Sequence, residues 1–207
     1  MNRFKLVSAA ALALSTACGG GVSSNATVTG TLKGKPLNNP EAISSVANLQ
    51  TSGGSAGVAA IIISNQPALC ADVGANKEPK SSQYLVIALA NVDTSTGTFT
   101  AATTAGDYTV YGGSGAPAAR LAVVVGSQTD DQCKNQANFD EQGLSGVVHL
   151  TGVNNGAYKG TFDVTLTSTD GNGHATGTPD HLTGSFDATA CAGLGTLLVS
   201  NRNATCF

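Results

Sequence analysis

Three histidines and thirteen acidic residues are the groups in this chain that could move protons. His149 stands between Val148 and Leu150. That setting predicts a strand histidine that turns to the wetter face or finds a partner in the core, rather than a catalytic base. His174 ends the run Thr169-Asp170-Gly171-Asn172-Gly173-His174, and His181 follows Asp180. Asp170, His174, Asp180 and His181 could meet at a hairpin end as a metal or acid–base cluster, which is what a small hydrolase would require. A glycine-rich loop with polar tips accounts for the same residues. Asp170-Gly171-Asn172 echoes a calcium loop, the basis for a calcium-stabilised adhesive domain. It lacks the third oxygen ligand in phase, the central glycine and the closing glutamate. Asp163 and Asp187 occupy matching positions in two similar segments, where carboxylates side by side would repel. They are expected on separate strands, facing solvent or a lysine such as Lys159.

Nucleophilic chemistry has no anchor in the sequence. No Gly-x-Ser-x-Gly elbow joins a strand to a helix. Gly112-Gly113-Ser114-Gly115 runs into Ala116-Pro117 and reads as a hairpin loop. A phosphate loop ending in Gly-Lys-Ser/Thr is missing as well. Tryptophan is absent, and Tyr84, Tyr108, Tyr111 and Tyr158 all fall in expected strands, so no flat aromatic platform for sugars is legible. The expectation is a non-enzymatic protein with no catalytic residue, metal or cofactor.

The cysteines give more. There are five, and Cys70, Cys133, Cys191 and Cys206 form an even set that two disulfides would use up. Their spacing does not suit zinc, whose structural ligands come in pairs two to four residues apart. Of three possible connectivities, Cys191–Cys206 and Cys70–Cys133 are favoured here, the first tying down the C-terminus and the second joining two long loops. Cys18 is left over, and it follows a leader. Arg3 and Lys5 make a positive start, residues 6–14 (LVSAAALAL) an apolar centre, and Ser15-Thr16-Ala17 a small-residue cleavage site.

Leu-Ser-Thr-Ala-Cys resembles the lipobox of bacterial lipoproteins, and the Gly/Ser stretch after it resembles their flexible tether. Leu14 lies four positions before the cysteine, where the family has its large aliphatic at three. The resemblance implies a signal peptide over residues 1–17 and a tether over 18–25; it is silent on the rest, where a folded β-sandwich domain is expected over 26–207. It also implies a diacylglyceryl thioether on Cys18, commonly with a further N-acyl chain, which is enough for firm membrane anchoring. Gly19 is not the Asp that retains many enteric lipoproteins at the inner membrane, so similarity to that group implies the outer membrane. The partners implied are the membrane, through the anchor, and an envelope protein. Simple secretion, cut at the same bond, is the alternative. Losing Arg3 and Lys5 with the leader takes the formal charge from −3 to −5, which speaks against nucleic acid.

Whatever chemistry exists must be positioned by strands. Charged residues are only 11% of the chain and glycines number 26. Short Val/Ile/Thr-rich runs alternate with Gly, Asn, Asp and Ser throughout. In residues 158–167, Tyr158, Gly160, Phe162, Val164 and Leu166 fall on one face and Lys159, Thr161, Asp163, Thr165 and Thr167 on the other. Residues 182–190 repeat the design, sharing a Gly-x-Phe-Asp pattern that could reflect duplication or one steric solution used by two neighbours. Residues 57–64 (GVAAIIIS), 84–91 (YLVIALAN) and 119–126 are apolar on both sides and suit strands covered on both faces. Weaker strands are expected at 26–33, 97–101, 107–111, 146–153 and 196–200. Asn39, Pro40 and Glu41 look like a helix start, with Ile43, Val46 and Ala47 as its apolar stripe, so a helix is expected over 40–49. A second turn or helix is expected over 130–142, with Phe139 inward. The fold class expected is all-β: an antiparallel β-sandwich of about eight to ten strands with one or two short helices.

Overall fold

The computed structural model describes residues 25–51, 54–134, 141–169, 175–199 and 205–207. The expected all-β fold is what they form. The strands are β1 (Ala26–Thr29), β2 (Glu41–Thr51), β3 (Gly54–Ser64), β4 (Lys77–Glu78), β5 (Gln83–Asp93), β6 (Thr98–Ala101), β7 (Gly106–Val110), β8 (Arg120–Gln128), β9 (Glu141–Asn154), β10 (Ala157–Thr169), β11 (Ala175–Ala190) and β12 (Thr205–Cys206). Two short helices, α1 (Leu69–Gly74) and α2 (Ala192–Val199), complete the described elements.

Ten strands make one sheet in the order β1-β11-β10-β9-β7-β8-β5-β3-β2, with β6 paired to β5. This single sheet supplies both layers of the sandwich. Its pairing is antiparallel except for β7 with β8 and β11 with β2. The β11–β2 pairing, Thr189 with Ile43 and Ala190 with Ser44, joins β2, at one end of the path, to the strand next to its other end and so closes the sheet on itself. Asn25 reinforces that seam as a substitute peptide. Its side-chain amide donates to the carbonyls of Ala42 and Asp187, and its Oδ1 accepts the Ala42 N–H.

One apolar core fills the space between layers, drawing Ile61, Ile63, Leu85, Ile87 and Leu89 from one side and Phe162, Val164, Leu166, Leu182 and Phe186 from the other. The alternation read from the sequence is physical. In β10, Tyr158, Gly160, Phe162, Val164 and Leu166 are buried while Lys159, Thr161 and Asp163 are exposed; Thr165 is half-buried and Thr167, expected outward, is buried where the pairing register shifts. The pattern shared by β10 and β11 is a reciprocal fit. Gly160 is paired with Phe186 and Gly184 with Phe162, so each ring lies over the other strand's glycine. A Cβ on Gly184 would come 2.6 Å from the Phe162 ring and 2.0 Å from the Thr27 carbonyl. One steric solution is thus used twice by neighbours.

The continuous apolar runs of β3 and β5 are also explained, whereas residues 119–126, expected to be covered on both faces, leave Val123 41% exposed in β8. A second apolar cluster (Ile43, Ile62, Leu69, Val73, Cys191 and Leu194) lies on the outer side of β2, β3 and β5, under α1 and α2. A third (Ala47, Val58 and Ala90, with Phe99 packed against it) lies further along the same strands, covered in part by β6. These strands are therefore wetted on neither face over most of their length.

Four expectations are corrected. Residues 40–49 form β2, not a helix: Ala42 faces the inner core and Ile43 the outer cluster, a two-sided burial that only a strand offers. Val46, which the helical stripe would bury, is 49% exposed. Residues 192–199 are helical where a strand was expected over 196–200. Leu194 fills the outer cluster and Gly193 and Gly195 let the helix approach Val73 and the Val46 carbonyl, so packing overrides strand propensity. Over 130–142, Asp130 caps a tight turn, its carboxylate accepting the Gln132 and Lys134 N–H groups, and β9 already begins at Glu141; Phe139 lies outside the described residues. The segment around Gly112 and Ser114 joins the parallel strands β7 and β8, so it is a crossover and not a hairpin.

The disulfides join the expected cysteines in the other pairing. Cys70 bonds Cys191 and Cys133 bonds Cys206. Cys191 ends β11 directly beneath α1, which carries Cys70, and Leu69, Val73 and Cys191 share one cluster. The C-terminal residues instead lie along β4, with Thr205 opposite Lys77 and Cys206 opposite Glu78, on the side where Cys133 approaches.

Candidate functional site

The outer face of the β1-β11-β10-β9-β7 layer carries polar side chains in cross-strand rows. Asp107, His149, Thr161, Ser185 and Thr27 are successive register partners across five strands. Asp107 Oδ1 lies 2.5 Å from His149 Nδ1, and the Thr27 and Ser185 hydroxyls are 2.9 Å apart. One row along, Lys159 faces Asp187 with Nζ and Oδ2 2.8 Å apart. His181 Nε2 reaches diagonally to Asp163 Oδ1 at 2.8 Å. Strand alternation puts all of them outward, because the intervening residues fill the core. The expectation for Asp163 and Asp187 holds in detail: they sit on separate strands, and Lys159 partners Asp187. His149 takes the wetter of its two expected settings, with about half its side chain exposed. The face is a flat array of hydroxyls and charge pairs.

The proposed acid–base cluster does not assemble from its described members. Asp180 and His181 are consecutive in β11 and point to opposite faces. His181 pairs with Asp163, whereas an Asp180 carboxylate oxygen accepts the Lys33 backbone N–H at 2.8 Å. Asp170, His174 and the calcium-like Asp170-Gly171-Asn172 lie outside the described residues. Among those described, no group of three or more His, Cys, Asp or Glu is placed to hold a metal ion.

A second polar assembly, missed from the sequence, lies inside one end of the sandwich. Gln83, Gln128 and Glu141 are buried polar residues on neighbouring strands β5, β8 and β9. The two-residue turn Lys33-Gly34 lies across this end, with φ of 50° and 73°. Two positive φ values are the signature of a tight hairpin turn, and Lys33 adopts one without being Gly or Asn. Leu32 and Lys35 exchange backbone hydrogen bonds, and the Gln83 amide donates to both their carbonyls. Leu32 is 1% exposed and packs where a Gly126 side chain would otherwise stand. Lys33 Nζ lies 3.7 Å from Glu141 Oε1. The other Glu141 oxygen is buried without a donor, and Lys33 joins Glu141 to Asp180, whose carboxylate accepts the Lys33 backbone N–H at 2.8 Å. Burial first, then the adjoining Asp180 carboxyl, push the Glu141 carboxyl up to about 7, while Lys33 pulls the other way. The missing signal was register: only pairing to Gly126 and Ser168 reveals that Glu141 opens β9 facing inward.

Two shallow clefts flank these features. One of about 410 Å³ lies at the β2–β11 seam, lined by Ser44, Asn155, Gly156 and Cys191. The other, of about 260 Å³, lies where β7 ends, beside Tyr111, Ser114 and Leu144. Ser44 Oγ is already committed to the Gly156 carbonyl, and Tyr111 to that of Gly115. No described helix is long and apolar enough to cross a membrane. Compared with known protein families, curated proteins and solved structures, the chain matches none of them.

Proposed function

We propose that this chain is a lipid-anchored protein of the bacterial envelope that works by binding rather than catalysis, through the polar face of β9, β10 and β11. The observation that carries the binding role is the asymmetry of the sheet. One layer is largely covered on both sides, while the other presents ordered hydroxyl, carboxylate, imidazole and ammonium groups that no described element covers. The face offers hydrogen bonds and charge in fixed positions on a rigid sheet, which suits recognition of a polar protein surface. Its Asp–His pairs stand open to solvent, each side chain more than half exposed, a setting that favours surface recognition over acid–base chemistry.

The anchor rests on cysteine parity. The four cysteines of the domain bond to one another, which supports reading Cys18 as the odd one, destined for acylation. Both disulfides suit an oxidising compartment. Partner and outer-membrane placement follow from the leader's resemblance alone.

Two measurements test this. Intact mass of the protein from its native cells should show residues 1–17 removed and Cys18 carrying acyl chains; a free Cys18 thiol on a processed chain overturns the anchor. A photo-crosslinker at Thr161 or Thr183 should capture an envelope protein in living cells, while the same group at Val46 should not. Equal capture from both places, or none, overturns the assignment of the face.

A further inference from the structure

We propose that Glu141 and Asp180 hold a single proton between them, and that this proton latches the Lys33-Gly34 turn over the end of the sandwich, so that the turn loosens when the proton leaves. The inference stands apart from the envelope reading and needs neither anchor nor partner.

Charge and geometry carry it. Among the described residues, the charged groups facing Glu141 are Lys33 from the β1–β2 connection and Asp180 from β11, while β8 and β10 present Gly126, Gln128 and Ser168 on that side. Two ionised carboxylates and one ammonium leave a net charge of −1 in a site where Glu141 is 1% exposed. One proton makes the group neutral, whereas a divalent cation would leave it at +1. A proton also supplies the donor that the orphaned Glu141 oxygen lacks. Two carboxyl groups gathered on one lysine, with Glu141 out of contact with water, cannot both ionise cheaply. Lys33 ties the pair to the turn twice, through its backbone N–H to Asp180 and its ammonium to Glu141. A lysine kept at positive φ, where glycine or asparagine is easier, fits a position held by those two bonds.

Loss of the proton places like charges against each other behind the turn. Asp180 then has a repelling neighbour on the side opposite the Lys33 N–H, and the turn keeps only Leu32 and the Gln83 amide.

The experiment is NMR on the folded protein between pH 5 and 8.5, reading the side-chain carboxyl carbons of Glu141 and Asp180 and hydrogen exchange at the Lys33 amide. The expected result is a Glu141 titration displaced to near neutral pH and sensed by Asp180. Lys33 exchange should quicken at least tenfold beyond its intrinsic pH dependence. Glu141→Gln should abolish that extra step while leaving the turn closed at pH 8, and Asp180→Asn should return Glu141 towards the ordinary carboxylate range. A Glu141 that titrates like a free glutamate overturns the proposal, as does an exchange step that survives in Glu141→Gln. Restoration of Lys33 protection at pH 8 by millimolar calcium would overturn it in favour of a cation. Should a variant fail to fold, the wild-type titration alone decides.

Discussion

The β2-β3-β5 layer and the β9-β10-β11 layer share one core and differ in everything outside it. The first is covered over much of its outer face by helices, a disulfide and β6, with Val46 left exposed, and its strands β3 and β5 are rich in Ala, Ile, Leu and Val. The second is covered on one face only, and its outer positions are mostly Thr, Ser, Asp, His and Lys, with Val147 among them. The difference teaches where this chain keeps stability and where it keeps freedom. A covered face is tied to its packing partners, so substitutions there are felt throughout. An open face is tied only to register, so its side chains are available for recognition.

The sharpest way to break the comparison is to uncover the first layer. Replacing Cys70 and Cys191 by Ala together removes a crosslink spanning 121 residues. In the chain-entropy view that costs about 5 kcal/mol. It also frees α1 from the outer cluster, exposing Ile43 and Ile62. The Cys133/Cys206 double replacement spans 73 residues and pins a small two-stranded sheet, so it should cost less, about 4 kcal/mol at most. Denaturant unfolding of the three proteins checks the order. If the second pair proves the costlier, the helix cover is not what holds the layer together.

Next in size is the reciprocal glycine–phenylalanine fit on the shared core. Gly184→Ala puts a methyl against the Thr27 carbonyl and the Phe162 ring, neither of which can retreat without shifting a strand. A loss of about 3 kcal/mol is expected from such overpacking. Pairing it with Phe162→Leu should recover only the part due to the ring, because the β1 carbonyl remains. Thermal unfolding of both variants separates the two contributions.

These elements also show how far the sequence could be read. Period-two alternation exposed β10 and β11 directly, since one face of each is wet. Apolar runs bounded by turn residues exposed β3, β5 and β8. β2 was misread because Pro40 and Glu41 imitate a helix start, and only the parallel seam with β11 and the cover from α2 make it a strand. The disulfide pairing was illegible for a related reason: Cys191 and Cys206 are close in sequence, but α2 leads the chain away between them. Of the functional features, the outward Asp163, Asp187, Lys159 and His149 were legible from alternation. Glu141 and Lys33 were not, because their meeting depends on strands far apart in the chain.

The buried end of the sandwich should give a smaller effect with a distinct pH signature. Glu141 rises from 4.5 in the unfolded chain to about 7 in the fold. The folded state therefore holds the proton longer, so stability is full below pH 4.5 and falls as the pH rises through 7. Allowing for partial hydration, the loss should be about 1–2 kcal/mol. Glu141→Gln should flatten that part of the profile and exceed the wild type in stability at pH 8. Glu78, also raised by burial, acts with the same sign in both proteins, so their difference isolates Glu141. A profile unchanged by the substitution would place the neutral-pH sensitivity elsewhere.

The smallest effect belongs to the open face, and its smallness is the point. Lys159 and Asp187 form a direct cross-strand pair with Nζ and Oδ2 2.8 Å apart, yet each side chain is 62% exposed. Water competes for both groups, ordering a lysine costs entropy, and salt screens what attraction is left. A double-mutant cycle with Lys159→Ala and Asp187→Ala should give a coupling of ~0.5 kcal/mol at low salt, fading towards zero by ~0.5 M. Asp107→Ala and His149→Ala should likewise leave the melting temperature nearly unchanged. If the pair instead couples by more than ~2 kcal/mol, water does not reach it, something covers this face, and the contrast between the two layers falls. If coupling is weak while the same substitutions abolish crosslinking from Thr161, then these charges are retained for a partner and not for the fold. Stability and recognition would then be separated on the two sides of a single strand, β10, whose Tyr158, Phe162, Val164 and Leu166 build the core and whose Lys159, Thr161 and Asp163 face outward.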